Sequence, residues 1–162
     1  MAQDSRRRNT HTLEPPIKIM QTHTTKITVR YFETDAMGVA HHANYAVWLE
    51  QARTEYMAAA GLPYREVEAR GLYIMLSKLE VNYRRAARYD DTVLVETRAT
   101  ELKSRRARFE YRLTLEGSGL DKEIVVALCA TEHFCTDHSL KIVSFPPDVL
   151  ELFGTKDGQS SV

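Results

Sequence analysis

The chain has 162 residues, 43% of them hydrophobic and 27% charged, with 22 basic side chains against 22 acidic ones. That is the composition of one folded domain. Balanced charge excludes the strongly basic footprint of a nucleic-acid binder and gives no pull towards an anionic membrane. No apolar run approaches the roughly 20 residues that a membrane-spanning helix requires.

Residues 1–24 are polar and carry the Pro15-Pro16 pair, and are expected to form a flexible extension. Arg6, Arg7 and Arg8 have no apolar core behind them, so the segment does not read as a secretory leader. The folded domain is expected over 25–153, with a polar tail over 154–162. Its first element is a strand, Ile27 to Phe32, rich in β-branched and aromatic residues. Glu33 to Asn44 is turn-like. A helix follows, because Tyr45, Trp48, Leu49, Ala52, Tyr56, Ala59 and Ala60 recur at the spacing of one helical face. Asn44 is expected to cap it, and Gly61 to end it in the left-handed region. Glu50 and Arg53, off that face, read as an (i, i+3) ion pair. Pro63 opens a shorter helix ending near Gly71.

The rest reads as strands: Leu72 to Tyr83, then Thr92 to Leu102. In the next, Ala107, Phe109, Tyr111, Leu113 and Leu115 alternate with polar residues, giving one buried and one wet face. Gly117-Ser118-Gly119 marks a turn. Ile124 to Ala130 is continuously apolar and is expected to be buried on both faces. Lys141 to Val143 reads as a short final strand. Cys129 and Cys135 are packing residues, with no zinc framework, and suit a reducing, cytoplasmic setting. Short connections imply an antiparallel sheet with the helix on one face. Its edges need protection, which a dimer joining two sheets edge to edge would supply.

The segment Tyr31 to Tyr45, YFETDAMGVAHHANY, lies between strand and helix, where functional loops concentrate. The helix start behind it offers unpaired N–H groups and the positive end of a dipole. A thioester hydrolase needs such donors for the developing oxyanion, and a carboxylate that activates water or attacks directly. It needs no strong general acid, because a thiolate with a conjugate pKa of about 8.5 leaves readily. Asp35 is the carboxylate available, although the same residue could simply close an Asx-turn. His41 and His42 do not read as a metal pair, since adjacent side chains diverge and no third ligand is spaced to join them. No metal or cofactor is expected.

The residues Tyr31, Thr34, Asp35, Ala36, Gly38, Val39, His42 and Tyr45, followed by Glu50, Ala52 and Arg53, form a long motif. On it, with Gly61-Leu62 and Tyr89-Asp90-Asp91, the chain resembles the 4-hydroxybenzoyl-CoA thioesterase-like family. The resemblance spans about 26–152 and is strongest to bacterial short acyl-CoA thioesterases associated with the Tol–Pal envelope system. It implies an α+β hotdog fold, a long central helix wrapped by a curved antiparallel sheet. It implies hydrolysis of an acyl-CoA by homodimers or homotetramers with sites at the subunit interface. It also implies that Asp35 is the catalytic carboxylate, supported by Tyr31 and His42, with the His42 backbone N–H as oxyanion donor. Tyr45 is expected in the core with Trp48 and Tyr56, and at the acyl pocket. His41 stands where those relatives commonly have tyrosine, a position expected to border that pocket. Lys103, Arg105, Arg106 and Arg108 either keep a strand edge solvated or hold the phosphates of the CoA nucleotide. Arg84, Arg85 and Arg88 are further candidates for that task. Two alternatives stay open: an acyl-carrier-protein thioester as substrate, and a non-catalytic subunit that binds acyl thioesters.

Overall fold

In the computed structural model, which describes residues 22–117 and 123–153, strand β1 (His23–Thr28) opens the fold. His23 and Thr24 are thus already paired, opposite Thr97 and Glu96. The rest of the expected extension, and the tail 154–162, lie outside the described residues. The strand also stops earlier than predicted. Tyr31–Glu33 is a 3-10 turn, because the Glu33 carboxylate takes the Arg30 N–H at 2.8 Å and draws the chain away from the ladder.

Helix α1 (Asn44–Ala59) buries Tyr45, Trp48, Leu49, Ala52, Tyr56 and Met57. Two expectations fail here. Asn44 is the first helical residue, not the cap, and its side chain donates instead to the Glu33 carbonyl at 2.7 Å. Arg53 lies on the buried face at 8% exposure, while Ala59 is exposed. The Arg53 cation acts on the Tyr64 and Tyr111 phenols, which stand near enough to feel its charge, while its Nε has no hydrogen-bond partner among the described residues. Gly61 ends the helix with φ +92, as its lack of Cβ allows. Helix α2 (Tyr64–Ala69) follows.

Strands β2 (Leu72–Tyr83), β3 (Thr92–Leu102) and β4 (Arg106–Leu115) lie where the patterning predicts. Ala107, Phe109, Tyr111 and Leu113 are all buried. Strand β5 (Val125–Asp137) runs seven residues beyond Ala130, because its second half pairs with both β2 and β4. Leu128 is 39% exposed, so one face of β5 is only partly covered. Lys141 to Val143 is no strand, only an isolated bridge from Ile142 to Thr136. Helix α3 (Pro147–Phe153) closes the described chain. Ser118 and Gly119 of the expected turn lie outside the described residues.

Among the described residues the strands form one antiparallel sheet in the order β1-β3-β4-β5-β2. Irregularities at Leu76/Lys78, Ala99/Glu101 and Leu113/Thr114 bend it around α1. Strand β2 is an edge. Among the described residues no helix is long and apolar enough to cross a membrane.

Candidate active site

The loop between β1 and α1 is fastened from below by Glu33. Its carboxylate, 1% exposed, accepts from Arg30 N, Arg30 Nη2 at 2.7 Å and Trp48 Nε1 at 3.1 Å. Burial alone would push this carboxyl up; the bonds from Arg30 and Trp48 outweigh it and hold the group below the usual carboxylate range. The Glu33 carbonyl accepts from His41 N at 2.8 Å as well as from Asn44. No motif or period assigns Glu33 this role. Its spacing to Trp48 across a loop and one helical turn carries no periodic signal.

On this base Asp35 closes the Asx-turn that its spacing allows: Oδ1 accepts the Met37 N–H at 2.8 Å. The turn fixes the carboxylate and leaves Oδ2 without a hydrogen bond among the described residues. Gly38, at φ +71, completes the reversal, and Arg88 Nη1 donates to its carbonyl at 3.3 Å. The His42 N–H, two residues before α1, donates to nothing among the described residues. The His42 ring is exposed and stacks on His41 with centroids 4.0 Å apart.

Asp35, His42 and Tyr45 share an open cavity of about 300 Å³. Its far wall is Tyr83, Arg84 and Arg85, from the end of β2. Tyr45 packs edge-on to Tyr83, centroids 4.9 Å apart. Burial, with lesser effects of Tyr83 and Cys129, pushes the Tyr45 phenol up to about 12, so it stays protonated at neutral pH. Arg84 and Arg85 are exposed, and neither is in an ion pair with a described residue.

The remaining predicted residues stand elsewhere in this protomer. Tyr31 is 77% exposed and meets the Tyr89 ring edge-on at 5.6 Å. His41 does not line the cavity; its Nδ1 accepts the Ala43 N–H at 3.2 Å. Lys103 pairs with Glu101, and Arg106 with Glu101 at 3.1 Å and Glu132 at 3.6 Å. Arg105 is exposed at the β3–β4 turn, away from the cavity wall. Tyr83 was not foreseen, since only packing across 41 residues brings it to His42.

A larger groove of about 960 Å³ crosses the outward face of the sheet. Its cations are already neutralised: Arg98 meets Glu110 at 2.8 Å, and Arg108 meets Glu80 and Glu132 at 3.0 Å each. The smaller cavity is the better candidate, because it alone of the two holds a half-buried carboxylate outside any ion pair, a free N–H at a helix start and unpaired cations.

A bent antiparallel sheet around one helix, with a carboxylate loop at the helix start, defines a hotdog-fold thioesterase. The chain belongs to the thioesterase-like superfamily, whose family model matches residues 29–153. It is 34% identical over 128 residues to the acyl-CoA thioesterase YbgC of Haemophilus influenzae, covering 78% of this chain and 90% of that one. The solved structure of the hypothetical protein TT1821 from Thermus thermophilus superposes with TM-score 0.74 at 40% identity, covering 82% of this chain and 95% of that one. The DHNA-CoA thioesterase of Staphylococcus aureus superposes with TM-score 0.76 at 30% identity, covering 83% and 89%.

Proposed function

We propose that this protein hydrolyses acyl-CoA thioesters, with Asp35 as its catalytic carboxylate. The observation that carries the reading is the shared cavity of Asp35 and the unpaired His42 N–H. The thioester carbonyl oxygen lies at that N–H, where the helix dipole favours negative charge. Asp35 either takes a proton from an attacking water or attacks the carbonyl carbon to form an anhydride, which water then opens. Both routes break the carbon–sulfur bond, release CoA as thiol and leave the free acid. His42 acts here through its backbone, with its ring and Tyr31 beside the substrate path. Tyr45 lines the acyl side, and His41 bears on acyl preference through the loop. Arg84 and Arg85 are unpaired cations at the cavity wall and suit the phosphates of the CoA moiety better than Lys103, Arg105 and Arg106.

The working unit is a homodimer formed through the free edge of β2, or a homotetramer of two such dimers. Met75, Leu76, Leu79 and Tyr83 are 39–49% exposed along that edge, next to the open mouth of the cavity. An apolar edge strand of this length calls for a partner. The setting is cytoplasmic, in keeping with two buried free thiols, Cys129 and Cys135.

The test is thiol release from a panel of acyl-CoAs, acetyl through decanoyl with benzoyl and 4-hydroxybenzoyl, by wild type and Asp35→Asn. Asparagine keeps the acceptor of the Asx-turn and loses basicity, so turnover drops by about several hundred-fold or more. A variant that folds and turns over at the wild-type rate would sink the assignment.

A further inference from the structure

One peptide plane beside the proposed oxyanion donor is gripped at both polar ends by side chains. The His42 carbonyl accepts from Tyr83 Oη at 3.2 Å and, more weakly, from the Tyr45 N–H at 3.4 Å. The N–H of the same plane, that of Ala43, donates to His41 Nδ1 at 3.2 Å. A peptide unit is rigid, so fixing its two ends fixes its orientation. The plane before it is held by its carbonyl alone, His41 O accepting from Asn44 N at 3.0 Å, and its N–H is the free one of His42. The orientation of that free N–H therefore depends on the gripped plane.

The grips replace an ordinary cap. Ala43, at the cap position of α1, has no side-chain acceptor, and the Asn44 amide is turned to Glu33. His41 takes the role, which requires a neutral ring with its proton on Nε2. Its ring is seated against His42. Tyr83 reaches in from the end of β2, steadied by the Tyr45 ring, so the second grip comes from outside the loop.

We infer that His41 and Tyr83 are positioning residues that hold the His42–Ala43 peptide so that the His42 N–H meets the oxyanion. The inference rests on the thioesterase reading above. Its consequence is a loss in kcat rather than in substrate affinity, because the donor acts most strongly on the transition state.

The experiment compares kcat and KM for the best acyl-CoA in wild type, His41→Phe, His41→Asn, Tyr83→Phe and the His41→Phe/Tyr83→Phe double variant, with Asp35→Asn as control. Phenylalanine keeps the ring and removes the acceptor or hydroxyl; asparagine places an oxygen where Nδ1 stands. Each Phe variant is expected to lose about tenfold in kcat, the worth of one hydrogen bond at the transition state, with KM little changed. His41→Asn recovers most of that loss. The double variant falls little below the slower single one, because both grips act on one plane. Unchanged kcat in both Phe variants, losses that multiply, an uncorrected His41→Asn or a change confined to KM would each overturn the inference. Tyr83 is half-exposed, so its variant reads the grip even if His41→Phe loses stability. A wild type that releases no thiol would sink the thioesterase reading and this inference with it. An active wild type with a dead Asp35→Asn and unaffected Phe variants would sink the inference alone.

Discussion

His133 is fully buried and bonded through Nε2 to Thr131 Oγ1 at 2.9 Å, which in turn meets Tyr111 Oη at 2.8 Å. Burial, then the nearby Arg53 cation, pushes its imidazole down to about 3. In the unfolded chain the ring takes up its proton near 6.5. Between those values the unfolded chain holds the extra proton, so stability falls as pH falls. Between pH 6 and 5, where carboxylates are still ionised, the unfolding free energy should drop by up to about 1.4 kcal/mol per pH unit on this account. Denaturant titrations across that window should show a flatter slope in His133→Gln, whatever its absolute stability. An equal slope in the variant would assign the effect to other groups. The same network shows where patterning misleads: Arg53 lies one residue from Ala52 on the buried face. A charged residue on an apolar stripe reads as solvated until Tyr64 of α2 and Tyr111 of β4 are seen to lie within range of its charge.

At the scale of the element, the start of α1 depends on Glu33 more than on its own first residues. Glu33→Gln keeps the shape but sets an amide against Arg30 and Trp48. It should lower stability by about 2 kcal/mol, read as a shift in denaturant midpoint at constant slope. Because the folded Glu33 carboxyl lies below its ordinary value of about 4.3, its contribution is present above that pH and is lost as pH falls further. The helix itself was legible, since its period needs only the residues on it. Strand β4 was legible for the same reason, and β2 and β3 were placed at the ends the structure shows. The cap was not, because Asn44 answers to a carbonyl 11 residues back. Nor was the far wall of the site. The loop motif announced Asp35 and His42, whereas Tyr83 reaches them only once the sheet has formed.

For the whole molecule, the free edge of β2 is the contact proposed for assembly. Strands β3, β4 and β5 are paired on both sides; β1 and β2 are the two edges, and β2 is the one flanked by Met75, Leu76 and Leu79. A double variant, Leu76→Lys with Leu79→Lys, places like charges opposite one another across the proposed twofold contact. Light scattering should then report a mass near that of one chain instead of two or four. Far-UV circular dichroism should be unchanged, since neither residue is in the core. Thiol release should fall with the mass if the proposed partner covers the mouth of the cavity. A variant that keeps both the wild-type mass and the wild-type rate would place the contact elsewhere.

The loop that carries Asp35 is tied to Arg30, Trp48, Asn44, Arg88 and Tyr83 by hydrogen bonds from five separate side chains or backbone groups. A segment fastened in this way does not behave as a gate. Substrate entry and CoA departure are then expected not to wait for a hinge to swing, so that chemistry and not a conformational step should govern turnover. Raising the microviscosity of the solvent with sucrose should therefore leave kcat flat.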